Sequence, residues 1–138
     1  MDEMYLMAMD IHFFSVLMLI LFVSILTLLT KLPLDFKIFS KFFRPVLPLY
    51  FSFLAAVTLT GAIMMAAKHL SFSLINIIMI VTFFSIVHLE VMRHNHFKNK
   101  LRASDEEQVF YKKKAFMLHG IELVMLVIVT AIAHYGVL

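Results

Sequence analysis

The chain has 138 residues, 62% of them hydrophobic and only 15% charged, with a formal net charge of +3 and no cysteine. The missing thiols exclude disulfides, thiolate metal sites and covalent haem attachment through Cys-x-x-Cys-His. The positive balance flanks apolar runs and comes with no nucleic-acid motif, so it marks topology and contact with anionic lipid, with no nucleic-acid partner.

Four apolar runs follow one another, at about 11–30, 45–67, 72–92 and 115–138. Each is close to the ~20 residues that a helix rising 1.5 Å per residue needs to cross ~30 Å of hydrocarbon. Strands are excluded, because lipid offers the backbone no hydrogen bonds and the runs lack the alternation of barrel strands. The expected fold is all-α: an integral-membrane four-helix bundle forming one domain over residues 1–138 in the lipid bilayer. The first connection carries Lys31, Lys37, Lys41 and Arg44, and the third carries Arg93, Lys98, Lys100, Arg102, Lys112, Lys113 and Lys114. The second has only Lys68. The positive-inside rule puts the two basic connections in the cytoplasm and both termini outside. Asp2, Glu3 and Asp10 give the start no basic n-region, so the first span is expected to remain as an anchor.

In chain order, Pro33 is expected to end the first helix or its short extension. Leu34–Phe43 alternates basic and aromatic residues and forms either an interfacial amphipathic turn in the headgroups or an ordinary membrane-hugging loop. Pro45 and Pro48 fall in the first turns of the second helix, where missing amide donors cost least. Ser52, Ala56 and Thr60, and then Ala62 and Ala66, recur every four residues around Gly61. Small residues at that spacing let backbones approach closely, which predicts that the second helix is central. The third helix is expected to run past the membrane until Ala103-Ser104-Asp105 breaks it. Ser104 or Asp105 then caps a short cytoplasmic helix through Lys114 that leads into the fourth span. Tyr5 and Tyr135 are expected at the outer interface, and Tyr50 and Tyr111 at the inner one.

Ionisable side chains inside a membrane are costly, which makes them functional candidates. Here they are His12, His88, Glu90, His119, Glu122 and His134. His88 and His119 each lie about one turn from the inner end of a span, ~6–7 Å inside the boundary, and are expected to meet across the bundle. Their role is either ligation and proton transfer or satisfied packing. His119 and Glu122, three apart, share a helix face, so the carboxylate can support the imidazole; Arg44 and Arg93 lie at the same level. His12 sits nearer the outer end, roughly 20 Å from His88 in depth, so one iron cannot bind both. His69 and His134 read as solvated interfacial residues. His94 and His96, at i,i+2, face different sides of a basic helix end. The Met residues read as adaptable packing.

The order of features resembles a known family, the small four-helix membrane protoporphyrinogen oxidases of bacteria (the HemJ type), of which the chain would be a divergent member. The resemblance rests on an early histidine in the first span (Tyr5-Leu-Met-Ala-Met-Asp-Ile-His12) and a basic loop into a Pro-containing second span (Lys41-Phe-Phe-Arg44-Pro-Val-Leu-Pro48). It rests also on a third span ending in histidine before a basic run (Ile86-Val-His88-Leu-Glu-Val-Met-Arg93). It implies haem b ligated by one or more of His12 and His88, with His119 as a further cofactor contact and Arg44 and Arg93 paired with the propionates. The implied reaction is oxidation of the porphyrin precursor, with electrons passing to quinone. Two other readings stay open: a non-catalytic accessory or assembly subunit of a membrane complex, or a homo-oligomer in that role, and a small metal or proton transporter using His88, His119 and Glu122.

Overall fold

The computed structural model describes residues 2–33, 35–67, 72–97 and 104–135. Expectations that fall on Leu34, Lys68, His69, Lys98, Lys100, Arg102 and Ala103 lie outside the described residues.

Four helices account for the fold: α1 (Asp2–Lys31), α2 (Phe36–Ala67), α3 (Leu74–Phe97) and α4 (Asp105–Tyr135). All four are long and apolar enough to cross a membrane, and the chain is a multi-pass membrane protein. Their ends follow the local chemistry. α1 stops two residues before Pro33, with Leu32 N–H donating to Leu28 O at 3.1 Å. Ser73 caps α3 by accepting from Asn76 N–H at 3.3 Å. Ser104 caps α4 by accepting from Glu107 N–H at 3.4 Å, and Asp105, Glu106 and Glu107 in the first turn complement the positive end of the helix dipole.

Successive helices run antiparallel. His12 meets Thr60 and Phe22 stacks on Phe53 between α1 and α2. Lys112 Nζ of α4 donates to Leu32 O at the end of α1, 2.8 Å away. Close packing joins α1 to α2, α1 to α4 and α3 to α4. The closest backbone approaches therefore centre on α1 and α4, and α2 reaches α4 and α3 through large side chains instead of small ones. Its small-residue stripe explains why: Ser52, Ala62 and Ala66 are exposed and Thr60 is buried, so the four-residue spacing does not form one contact face.

Three helices overshoot the bilayer. At 1.5 Å per residue, α1, α2 and α4 are about 45–48 Å long, against ~30 Å of hydrocarbon. The overshoot corrects two expectations. Residues 36–43 are neither a headgroup-lying turn nor a loop. They are the opening turns of α2, with Lys37 and Lys41 exposed and Phe36, Phe39 and Phe43 buried. Pro45 and Pro48 consequently fall inside α2, and the aromatic face on either side holds the helix in register. The segment through Lys114 is likewise no separate helix but the first turns of α4.

At this basic end the rings form a collar. Phe39 lies 4.8 Å from Phe43 and 6.4 Å from Tyr111 between centroids, and Phe36 meets Tyr111 edge-on at 5.8 Å. Lys112 sits 5.4 Å over Phe39, a cation–π contact that lets a basic rim cover an aromatic core. Below the collar the core is aliphatic, with Leu19, Val23 and Leu26 of α1 against Leu54 of α2 and Leu126 of α4. Within the spans the hydroxyls of Ser24, Thr27, Thr58, Thr82, Ser85 and Thr130 each donate to the carbonyl four residues back, at 2.6–2.9 Å.

Candidate functional site

Between the collar and the aliphatic core lies a buried cluster of charged and polar groups. α3 contributes Glu90 and Arg93, one turn apart; α4 contributes Tyr111, His119 and Glu122; α2 contributes Tyr50. All six are 3% exposed or less. Arg93 Nε donates to Glu90 Oε2 at 2.9 Å, and Arg93 Nη1 donates to Tyr111 Oη at 3.4 Å. Tyr50 donates its hydroxyl to Glu122 Oε2 at 2.9 Å. The guanidinium carbon lies 5.2 Å from the centre of the Phe43 ring, which is 5.7 Å from the His119 ring. His119 Nδ1 is 3.4 Å from Glu90 Oε1 and 3.5 Å from Glu122 Oε2. One ligand-type atom from each of Glu90, His119 and Glu122 lies within 4.8 Å of the others.

The bonding is uneven in an informative way. Each carboxylate has one oxygen held from outside, Glu90 by Arg93 and Glu122 by Tyr50. The other oxygen, Oε1 of each, has no hydrogen-bond partner, and neither does either ring nitrogen of His119. Buried polar atoms are normally satisfied, and four orphans in one place mark either stored cost or a missing guest. Charge points the same way. With both carboxylates ionised Arg93 neutralises one, and the other calls for one more positive charge in a region where low dielectric makes an unpaired charge expensive.

The sequence-predicted residues are placed unevenly. His119 is fully buried at the centre, beside Glu122 as their spacing predicts, and Arg93 turns inward. His88 does not meet His119; it is exposed on α3, and Glu90, two residues on, takes the inward position. Arg44 is exposed and does not converge with Arg93. His94 is exposed, whereas His96 is half-buried with Nε2 2.6 Å from Lys114 Nζ. His134 is exposed at the other end beside Tyr135. Tyr50 and Tyr111 are not interfacial anchors, since their rings are buried in protein and their hydroxyls belong to the cluster.

His12 forms a second, smaller contact near the opposite end. Thr60 donates its hydroxyl to Ala56 O at 2.7 Å, which leaves its oxygen to accept from Nδ1–H of His12 at 2.9 Å. Gly61 provides the room: a Cβ there would lie 3.4 Å from His12 Cε1. As placed, His12 is held against α2 and His88 faces outward, so the residues that the resemblance offers as ligands do not frame a shared porphyrin cavity. His12→Ala is expected to lose about 1 kcal/mol with its hydrogen bond, whereas His88→Ala should leave the detergent melting temperature unmoved; paired thermal melts check both.

The chain matches no known family model, no curated protein and no solved structure.

Proposed function

We propose that the protein is a small carrier-type membrane protein that binds and releases a cation at the Glu90–His119–Glu122 cluster. The observation that carries this reading is the set of four orphaned atoms, two carboxylate oxygens and two imidazole nitrogens, in a buried site where two carboxyls share one guanidinium. By the positive-inside rule the basic end faces the cytoplasm, in a bacterial cytoplasmic membrane, and the cluster lies nearer that side. Access fits the same direction. A cavity at the basic end is lined by Asp35, Phe36, Lys37, Asp105 and Gln108, and Phe36 packs on Tyr111, whose hydroxyl meets Arg93. On the far side, Leu19, Val23, Leu54 and Leu126 separate the cluster from His12 and Thr60. An ion bound here is therefore occluded from that face until the helices move, as alternating access requires.

The test is proteoliposome flux. Vesicles containing the protein and an internal pH-sensitive dye are expected to show cation-driven proton movement, with and without added divalent ions. Glu122→Gln and Glu90→Gln should each reduce it at least tenfold while the helical spectrum stays unchanged. Wild-type vesicles that move neither protons nor metal would overturn the carrier reading.

A second reading has its own support. The buried residues of α3, among those described, are Ile86, Glu90 and Arg93, so the polar network also fastens α3 to α4, as a non-catalytic subunit of a larger complex would need. That role calls for satisfied bonds, and the orphaned atoms favour the carrier. A haem oxidoreductase of the kind the resemblance implies would need His12 or His88 turned into a porphyrin-sized cavity. A reduced-minus-oxidised spectrum of the purified protein is the direct check on it.

A further inference from the structure

We infer that the cation taken by this site is a divalent first-row transition metal ion, held by Glu90 Oε1, His119 Nδ1 and the carboxylate of Glu122. This rests on the carrier reading for its purpose, but its argument concerns the donor set alone.

Three features select that class. The first is spacing. Two ligands on one tetrahedral ion with bonds of ~2.0–2.1 Å stand ~3.4 Å apart. His119 Nδ1 is already 3.4 Å from Glu90 Oε1 and 3.5 Å from Glu122 Oε2, and one ligand-type atom of each residue lies within 4.8 Å of the others, so a small inward movement of side chains closes the set. The second is orientation. Arg93 fixes Glu90 through Oε2 and leaves Oε1 towards His119, and Tyr50 fixes Glu122 through Oε2, the oxygen that also faces His119 and keeps a lone pair for an ion. Carboxylates braced from behind in this way are how metal sites set the direction of their ligands. The third is chemistry. An imidazole among the ligands favours borderline ions such as Zn²⁺, Fe²⁺ or Ni²⁺ over Mg²⁺ or Ca²⁺, which prefer all-oxygen shells, and a chain without cysteine offers no thiolate. Three protein ligands leave a fourth position open, as in sites that exchange what they bind.

The same geometry keeps binding reversible. Ligation through Nδ1 puts the ring proton of His119 on Nε2, which has no acceptor, and the fixed charge of Arg93 stands on the oxygen next to the one that would hold the ion. Both lower affinity relative to a structural site, which suits an ion that must leave again.

The experiment uses the full-length protein in mild detergent, freed of metal with a chelator and titrated with Zn²⁺, with Mg²⁺ in parallel. One Zn²⁺ per chain is expected, with no Mg²⁺ binding at the same concentrations. His119→Ala and Glu122→Gln should weaken Zn²⁺ binding at least tenfold and Tyr50→Phe about tenfold. His12→Ala, His88→Ala and the His94→Ala/His96→Ala pair should each leave it within twofold. X-ray absorption of the Zn²⁺-loaded wild type, which needs no variant to fold, should show a nitrogen and oxygen shell with a single imidazole. Loss of binding in the His94/His96 variant instead, a shell with two or more imidazoles, or no Zn²⁺ binding by the wild type would each overturn the inference. Proton flux without Zn²⁺ binding would reject the metal and leave the carrier standing. Zn²⁺ binding without any flux would do the reverse.

Discussion

Arg93→Ala is expected to be the most destabilising single change in the spans, by about 3–5 kcal/mol, because it leaves Glu90 and Glu122 facing each other without their buried counter-charge. The guanidinium also lies against the face of Phe43 and donates to Tyr111, so alanine removes the bolt between α3, α4 and α2 as well as a charge. The diagnostic comparison is the double variant Glu90→Gln/Arg93→Gln. It removes both charges at nearly constant volume, and neutral replacement of a buried pair is often tolerated. Thermal melts in detergent should show a large loss for Arg93→Ala and recovery of most of it in the double variant. The double variant should be inactive in flux, since it lacks the Glu90 carboxylate of the binding cluster. A single variant as stable as wild type would mean that Arg93 is solvated in the membrane and that the network is not a closed one.

Phe39→Ala is the second large effect, about 3–5 kcal/mol for a fully buried ring. Inside lipid a hydrophobic driving force between helices is absent, so the cost there is lost van der Waals contact. Phe39 lies in the overshooting part of α2, where water is near and burial itself contributes. Its neighbours are Phe36, Phe43, Tyr111 and the ammonium of Lys112. Removing the ring should loosen the first turns of α2 from α4 while the spans stay helical. Hydrogen exchange is expected to rise in 36–43 and 105–115, with little change in 50–60. Uniform protection in the variant would show that the collar does not hold the basic end together.

The spans, the stop before Pro33 and the cap at Ser104 were legible because each depends on residues a few positions apart. The collar was legible in part. Phe36, Phe39, Phe43, Tyr50 and Leu54 recur at spacings of three, four, seven and four, which is a helix face, but the interleaved Lys37, Lys41 and Arg44 read as headgroup contacts. They are the outer side of a helix that continues past the bilayer. The spacing of His119 and Glu122 brings both into the buried cluster, whereas on α3 it is Glu90 and not His88 that faces inward. Two positions on a helix differ by about 200°, so only one of them can face inward. The choice depends on the rotation of α3 about its axis, and a helix apolar nearly all round carries little signal for that angle. Tyr50 and Tyr111 were missed for a related reason: tyrosine near the end of a span is as common at an interface as it is in a buried network, and only a partner tells the two apart.

The hydroxyls of the spans bear on speed. Ser24, Thr27, Thr58, Thr82, Ser85 and Thr130 each give their O–H to their own helix, so these six residues have no free donor with which to pass a proton along the spans. A pore that conducts needs such stepping stones. Without them each passage must wait for a whole helix to shift, a motion of microseconds to milliseconds or slower. The expected electrical signature is therefore silence in single-channel recordings, with transport visible only when summed over many molecules and many seconds.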